Sequence, residues 1–301
     1  MPVLTLILII LIVLILAGGF YLATRLVLPR RHSVEVTRRI EVENGNLNEV
    51  EYEAWVKREM VIQSPEGYPL FGIYFPIPDS KRTVIMVHGF TYGLYGSVKY
   101  MPMFRRRGFN ILLIDLRHHG RSGGPNITFG FKEKQDIKAW TTWSLAQLGP
   151  GGMVGTLGES LGAAVILQHA AIDPRPAFVI ADCPYSNLED LVAYHLKTRY
   201  HLPRFPLLYV GEFWCRLLSG MTFENASPLP VMAKIESPVL FIHGEDDDYV
   251  PASMSRELFE AKTTGIRQLY LAPDAGHAQA FTSNPKDYER CVNGFLTGCG
   301  V

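Results

Sequence analysis

The run MVGTLGESLGAAVILQHA, Met153 to Ala170, constrains the fold more than any other stretch of the chain. Its first part is a short apolar strand and its last part has helical apolar spacing, with only Gly-Glu-Ser-Leu-Gly between them. A strand that becomes a helix within a few residues belongs to a layered α/β fold, in which the helix packs back on the sheet. The polar Ser160 at this junction is open to two readings. Gly158 and Gly162 either punctuate a turn, or they make room for an exposed serine held in an unfavourable backbone conformation.

The rest of the body repeats the same alternation. EMVIQS and LFGIYFPI read as two strands joined by a Pro-Glu-Gly-Tyr-Pro turn, and TVIMVH and NILLID as strands buried on both faces. A helix is expected from about Ser97 to Arg107. Another lies within FKEKQDIKAWTTWSLAQL, ended by Gly149-Pro150-Gly151. AFVIAD, PVLFIH and QLYLA are further strands, and helices are expected at about Ala252 to Ala261 and Pro285 to Thr297. The expected fold is therefore α/β, a mostly parallel central sheet with helices on both faces. Between Pro184 and Glu236 the alternation breaks into the aromatic, proline-interrupted RYHLPRFPLLYVGEFWCRLLSG. This reads as a small helical cap, with an ordinary pair of packing helices as the alternative.

VLTLILIILIVLILAGGFYLA, Val3 to Ala23, carries no charge and only Thr5 as a polar interruption. At about 1.5 Å per helical residue it is long enough to cross a hydrocarbon core of about 30 Å. A cleaved signal peptide would place basic residues before the apolar run, whereas Arg25, Arg30 and Arg31 follow it. By the positive-inside rule these arginines predict a single-pass cell-membrane protein with its body in the cytoplasm. The expected organisation is a transmembrane helix over 3–24, a connecting segment over 25–58 and one domain over 59–301 with a cap insertion over 185–236. Polar His32 to Lys57 contains a possible amphipathic helix and is assigned no chemistry.

Lys plus Arg and Asp plus Glu both total 29, so no global charge calls for a nucleic-acid partner. The four cysteines form no CxxC pair and have no spaced histidine of the zinc-site type, so free thiols and no metal or cofactor are expected. Oligomeric state is left open.

Beyond strand ends, three chemical features follow in order: Ser160, the run Asp246-Asp247-Asp248, and His277. A serine hydroxyl becomes a nucleophile when an imidazole takes its proton, and the imidazole in turn needs a carboxylate to fix its tautomer. The amide of Leu161, opening the helix after Ser160, is placed to donate to an oxyanion. HGF, DLRHHGRSGG, GESLGA, HGEDDDYVP and AGHAQAF together resemble the α/β-hydrolase superfamily from about Met60 to Phe295. With ADCPYSNLED and RYHLPRFPLL, the chain is similar more narrowly to membrane-anchored bacterial YqkD-like hydrolases.

The resemblance implies Asp247 as the acid, through HGxxDxxVP, with Asp246, Asp248 and Asp182 as rivals. It implies His277 as the base. It also implies that Gly89 supports the amide of Phe90 as a second oxyanion donor beside Leu161, with Gly158 and Gly162 flanking the serine. The expected activity is a carboxylesterase- or lipase-like serine hydrolase that cleaves acyl or lipid-derived esters through an acyl-enzyme. The alternatives are a peptidase or amidase of the same fold and a non-catalytic relative that binds a partner or small molecule.

Overall fold

The computed structural model describes residues 2–301. The apolar run forms α1 (Pro2–Val27), and two short helices follow, α2 (Val34–Glu43) and α3 (Glu49–Ala54). Each of these two is capped by a side-chain oxygen: Ser33 Oγ accepts from the Val36 amide and Asn48 Oδ1 from the Glu51 amide. The polar connecting segment is thus folded. Leu47 and Tyr52 enter the core, and Tyr52 meets Tyr95 hydroxyl to hydroxyl at 3.3 Å.

The body begins with β1 (Arg58–Gln63), β2 (Pro69–Phe75) and β3 (Arg82–Val87). The helix expected over 97–107 is instead a 3-10 helix, Leu94–Tyr100, that passes into a short α4 (Met101–Arg106). Pro102 supplies no amide hydrogen to continue the preceding winding and opens a new helix instead. Then come β4 (Asn110–Ile114), α5 (Glu133–Leu148), β5 (Met153–Glu159), α6 (Leu161–Ala170) and β6 (Val179–Asp182). The segment without strands folds as α7 (Leu188–Thr198), α8 (Leu207–Ser219) and a 3-10 turn, Leu229–Lys234. The chain closes with β7 (Val239–Gly244), α9 (Ser253–Ala261), β8 (Arg267–Ala272), α10 (Ala280–Ser283) and α11 (Pro285–Gly298).

The eight strands form one sheet in the order β1-β2-β4-β3-β5-β6-β7-β8. β1 and β2 pair antiparallel, as do β2 and β4, and every other pairing is parallel. The central strands are buried along their length because helices cover both faces, which is why they read as continuous apolar runs. One face is packed by Trp140, Ile166, Leu167 and Phe241, the other by Phe104, Phe109, Phe178 and Tyr288. Edge strand β1 exposes Arg58 and Glu59, charges that discourage pairing with another chain. The carboxyl ends of β3, β5, β7 and β8 converge on one rim, where the sequence places its chemical residues.

Candidate active site

Ser160 follows β5 directly, with φ 54° and ψ −114°, a conformation that costs of order 1–3 kcal/mol for a residue with a side chain. The strain is held from both sides. The Ser160 amide donates to the Asp182 carbonyl at 2.8 Å, and the Ser160 carbonyl accepts from Ala164 at 3.1 Å to start α6. The glycines are there because backbone crosses backbone. A Cβ on Gly158 would lie 2.4 Å from the Gly162 oxygen, and one on Gly162 would lie 2.3 Å from the Val87 oxygen.

The loops after β7 and β8 bring two more side chains to this serine. His277 Nε2 lies 2.9 Å from Ser160 Oγ, and His277 Nδ1 lies 2.7 Å from Asp247 Oδ2. These contacts assign the Nδ1–H tautomer, with Nε2 free to accept the serine proton. Of the three consecutive aspartates only Asp247 is buried; Asp246 and Asp248 face solvent. Burial alone would raise the Asp247 carboxyl. Hydrogen bonds from His243 and His277, the His277 charge and the Val250 amide outweigh it and hold the group well below the usual carboxylate range.

His243 is the second partner of that carboxylate. Its Nε2 lies 3.1 Å from Asp247 Oδ2 and 2.8 Å from the Val250 carbonyl, and its Nδ1 accepts from Ser255 Oγ at 2.7 Å. Sequence order marks His243 only as a turn residue. The contact joins the end of β7 to the loop after it, and no helical or strand spacing prescribes it.

Among the described residues the Asp182 carboxyl makes no hydrogen bond to His277. It sits beneath the serine turn, where the hydroxyls of Tyr100 and Tyr288 each reach its Oδ2 at 3.0 Å. Tyr100 also lies 2.7 Å from Glu159 Oε2, which pairs with Lys99 Nζ at 2.6 Å. Burial, then the nearby Glu159 charge, pushes the Asp182 carboxyl up to about 6. Burial would lower the Lys99 ammonium, yet the Glu159 carboxylate keeps it raised. This network was missed in the sequence because its members come from four separate segments and match no short motif.

Cys183 stands beside the same residues: its Sγ and the nearest atoms of Asp247 and His277 lie within 4.8 Å of one another. Burial, then the carboxylates of Asp182, Glu159 and Asp247, pushes the thiol far up from its ordinary value.

Over the serine lies the loop after β3. The Gly89 Cα carries its missing side chain toward Ser160, whose Cβ would be 3.6 Å from a Gly89 Cβ. His88 Nδ1–H donates to the Gly89 carbonyl at 2.7 Å, and the Thr91 amide donates to His119 Nε2 at 3.2 Å, so two buried histidines shape this loop. Neither the Phe90 amide nor the Leu161 amide has a hydrogen-bond partner among the described residues.

Ser160 and His277 open into a cavity of about 690 Å³, walled by Phe90, Lys99, Tyr249 and Gln279. Glu41, Asn44 and Asn46, from α2 and the turn after it, complete the wall, so the connecting segment is part of the pocket. None of the lining comes from residues 185–236. The helical insertion instead meets the pocket wall at Tyr249: His195 Nε2–H donates to the Tyr249 carbonyl at 2.7 Å, and the Tyr249 ring lies 4.9 Å from that of His277.

An eight-stranded, mostly parallel sheet with a serine at the strand-to-helix turn, and an acid and a histidine on later loops, defines an α/β-hydrolase-fold protein. The chain belongs to the alpha/beta hydrolase family, whose profile matches residues 84–290. It is 36% identical over 284 residues to YqkD of Bacillus subtilis (strain 168), an uncharacterised protein, covering 94% of this chain and 93% of that one. An uncharacterised protein of Mycobacterium tuberculosis (strain H37Rv) is 29% identical, with 81% and 80% covered. Among solved structures, the esterase Pf2001 of Pyrococcus furiosus superposes with a TM-score of 0.69 at 24% identity, over 83% of this chain and 96% of that one.

Proposed function

We propose that the protein is a serine hydrolase of carboxylic esters. The observation that carries this reading is the continuous hydrogen-bonded chain Ser160–His277–Asp247, open to a cavity at its serine end. Ser160 Oγ attacks the ester carbonyl as its proton passes to His277 Nε2. Asp247 stabilises the imidazolium through Nδ1–H. The oxyanion that forms accepts from the Phe90 and Leu161 amides, each such donor contributing about 3 kcal/mol to the transition state. Collapse expels the alcohol with the proton from His277, and water, deprotonated by the same histidine, then releases the acid from the serine.

The N-terminal helix is long and apolar enough to cross a membrane. In our reading it does so, with Arg25, Arg30 and Arg31 holding the body on the cytoplasmic side. The site would then work close to the bilayer. The His32 amide donates to the Thr91 carbonyl at the pocket wall, and His32 is five residues past Val27, at most about 18 Å of chain. A lipid-derived or acyl ester is the substrate this placement favours.

The test is fluorophosphonate labelling of the full chain, with mapping of the adduct, alongside Ser160→Ala. Labelling at Ser160 that is absent from the variant is expected. Turnover of p-nitrophenyl esters but not of the matching anilides would separate esterase from amidase. A folded protein that a small probe leaves unlabelled would point to a binding protein instead.

A further inference from the structure

We propose that α8 is a membrane-seating helix, lying in the boundary between headgroups and hydrocarbon of the same bilayer that α1 enters; the inference rests on reading α1 as a span. α8 has two opposed faces. Leu208, Gly211, Cys215 and Ser219 are buried, Gly211 against Leu22 of α1, while Tyr209, Phe213 and Leu217, four residues apart, are 50%, 53% and 61% exposed. Phe205, just before the helix, is 74% exposed. The one acid of the helix is turned inward, with Glu212 Oε1 accepting from the Phe223 amide at 2.8 Å. A large aromatic and aliphatic stripe on one exposed helix face is the pattern of an interfacial helix.

The length of α1 identifies what covers the stripe. Its residues Val3 to Leu14 are exposed on all sides, and one face becomes covered from Ile15 onward. These twelve exposed residues reach about 18 Å, well short of a core of about 30 Å. About eight more residues, to Leu22, must therefore lie in the bilayer, and these are the residues that pack on α8. Gly18 faces Leu207 and Gly19 faces Val210, Gly211 faces Leu22, and the Phe20 and Trp214 rings meet edge to face with centroids 5.2 Å apart. The glycines let the two backbones approach closely, as between helices in lipid. While this seam holds, α1 cannot cross the core and leave α8 in water.

The flanking charges fit the same depth. Arg216 lies on the exposed side of α8, and Arg25, Arg30 and Arg31 follow the apolar part of α1, so cations stand where lipid phosphates would be. The seat also connects to the site, because α7, which precedes α8 in the insertion, holds the Tyr249 loop through His195.

The test uses the full chain in vesicles of equal parts phosphatidylcholine and phosphatidylglycerol. Cys291 and Cys299 are replaced by Ser, and a nitroxide is attached at Tyr209→Cys, Phe213→Cys or Leu217→Cys in separate proteins. Ile12→Cys in α1 and Lys286→Cys in α11 serve as references. Circular dichroism checks the folding of each. Expected is loss of broadening by a water-soluble nickel chelate at all three α8 positions, with broadening by oxygen retained, as at position 12 and opposite to position 286. Nickel broadening at the α8 positions with position 12 protected would overturn the proposal and leave the span intact. Protection from both nickel and oxygen would mean that a second copy of the chain covers the stripe, which also overturns it. Nickel broadening at position 12 would show that α1 is not a span, and the proposal would fall with that reading.

Discussion

At the residue scale the site depends on one carboxylate with two histidine partners. Asp247→Asn keeps the shape but lets His277 take the wrong tautomer, so kcat on a short-chain p-nitrophenyl ester should fall on the order of 10⁴-fold with little change in KM. A fall of only a few-fold would argue against His277 as the base. Asp182, by contrast, is a buried acid raised to about 6. A group whose folded pKa lies above its unfolded value gives its full stability below about pH 4 and loses it as pH rises through 6. Asp182→Asn should remove that loss. Stability of the variant relative to the parent should rise between pH 4 and pH 7 by on the order of 3 kcal/mol in urea titrations. A difference that stays constant with pH would show that Asp182 is not the titrating group.

At the element scale the strand-to-helix turn is a crossing of three backbones. Gly162→Ala would press a methyl group against the carbonyl of Val87 in β3, so β3 and α6 must separate. We expect a loss of about 1–3 kcal/mol in urea unfolding together with loss of fluorophosphonate labelling, because the same movement displaces the Leu161 amide. Full labelling in a stable Gly162→Ala protein would mean that β3 and α6 absorb the methyl group without moving the Leu161 amide. The helices α2 and α8 make a different point. Each has a clear amphipathic pattern, but which surface each one covers follows from contacts with residues far away in the chain.

At the scale of the whole molecule, α1 is joined to the body along α8, and Ala23 and Val27 are part of the core. A Cβ on Gly19 would lie 2.4 Å from Val210 Cγ1, so Gly19→Val should part the two helices. The expected outcome is faster tryptic cleavage at Arg25 and Arg30 in detergent, with ester turnover by the released body retained; unchanged cleavage would show that the seam has slack. Much of this architecture was legible in the sequence. Apolar runs alternating with helical periods specified the layered fold, because burial on two faces and on one face leave different periods in the residues themselves. The order of Ser160, the run Asp246-Asp247-Asp248 and His277 was legible too, since each lies just past a recognisable strand, while the choice of Asp247 within the run came from the family resemblance. Tertiary structure alone decided that Asp247 and not its neighbours is buried, that His243 also binds it, and that Lys99, Glu159 and Asp182 share one buried network. It likewise placed Glu41 and Asn46 in the pocket wall and α8 against α1. Local periodicity records which face of an element is buried, whereas the partner that buries it is set by long-range packing, which leaves no period in the chain.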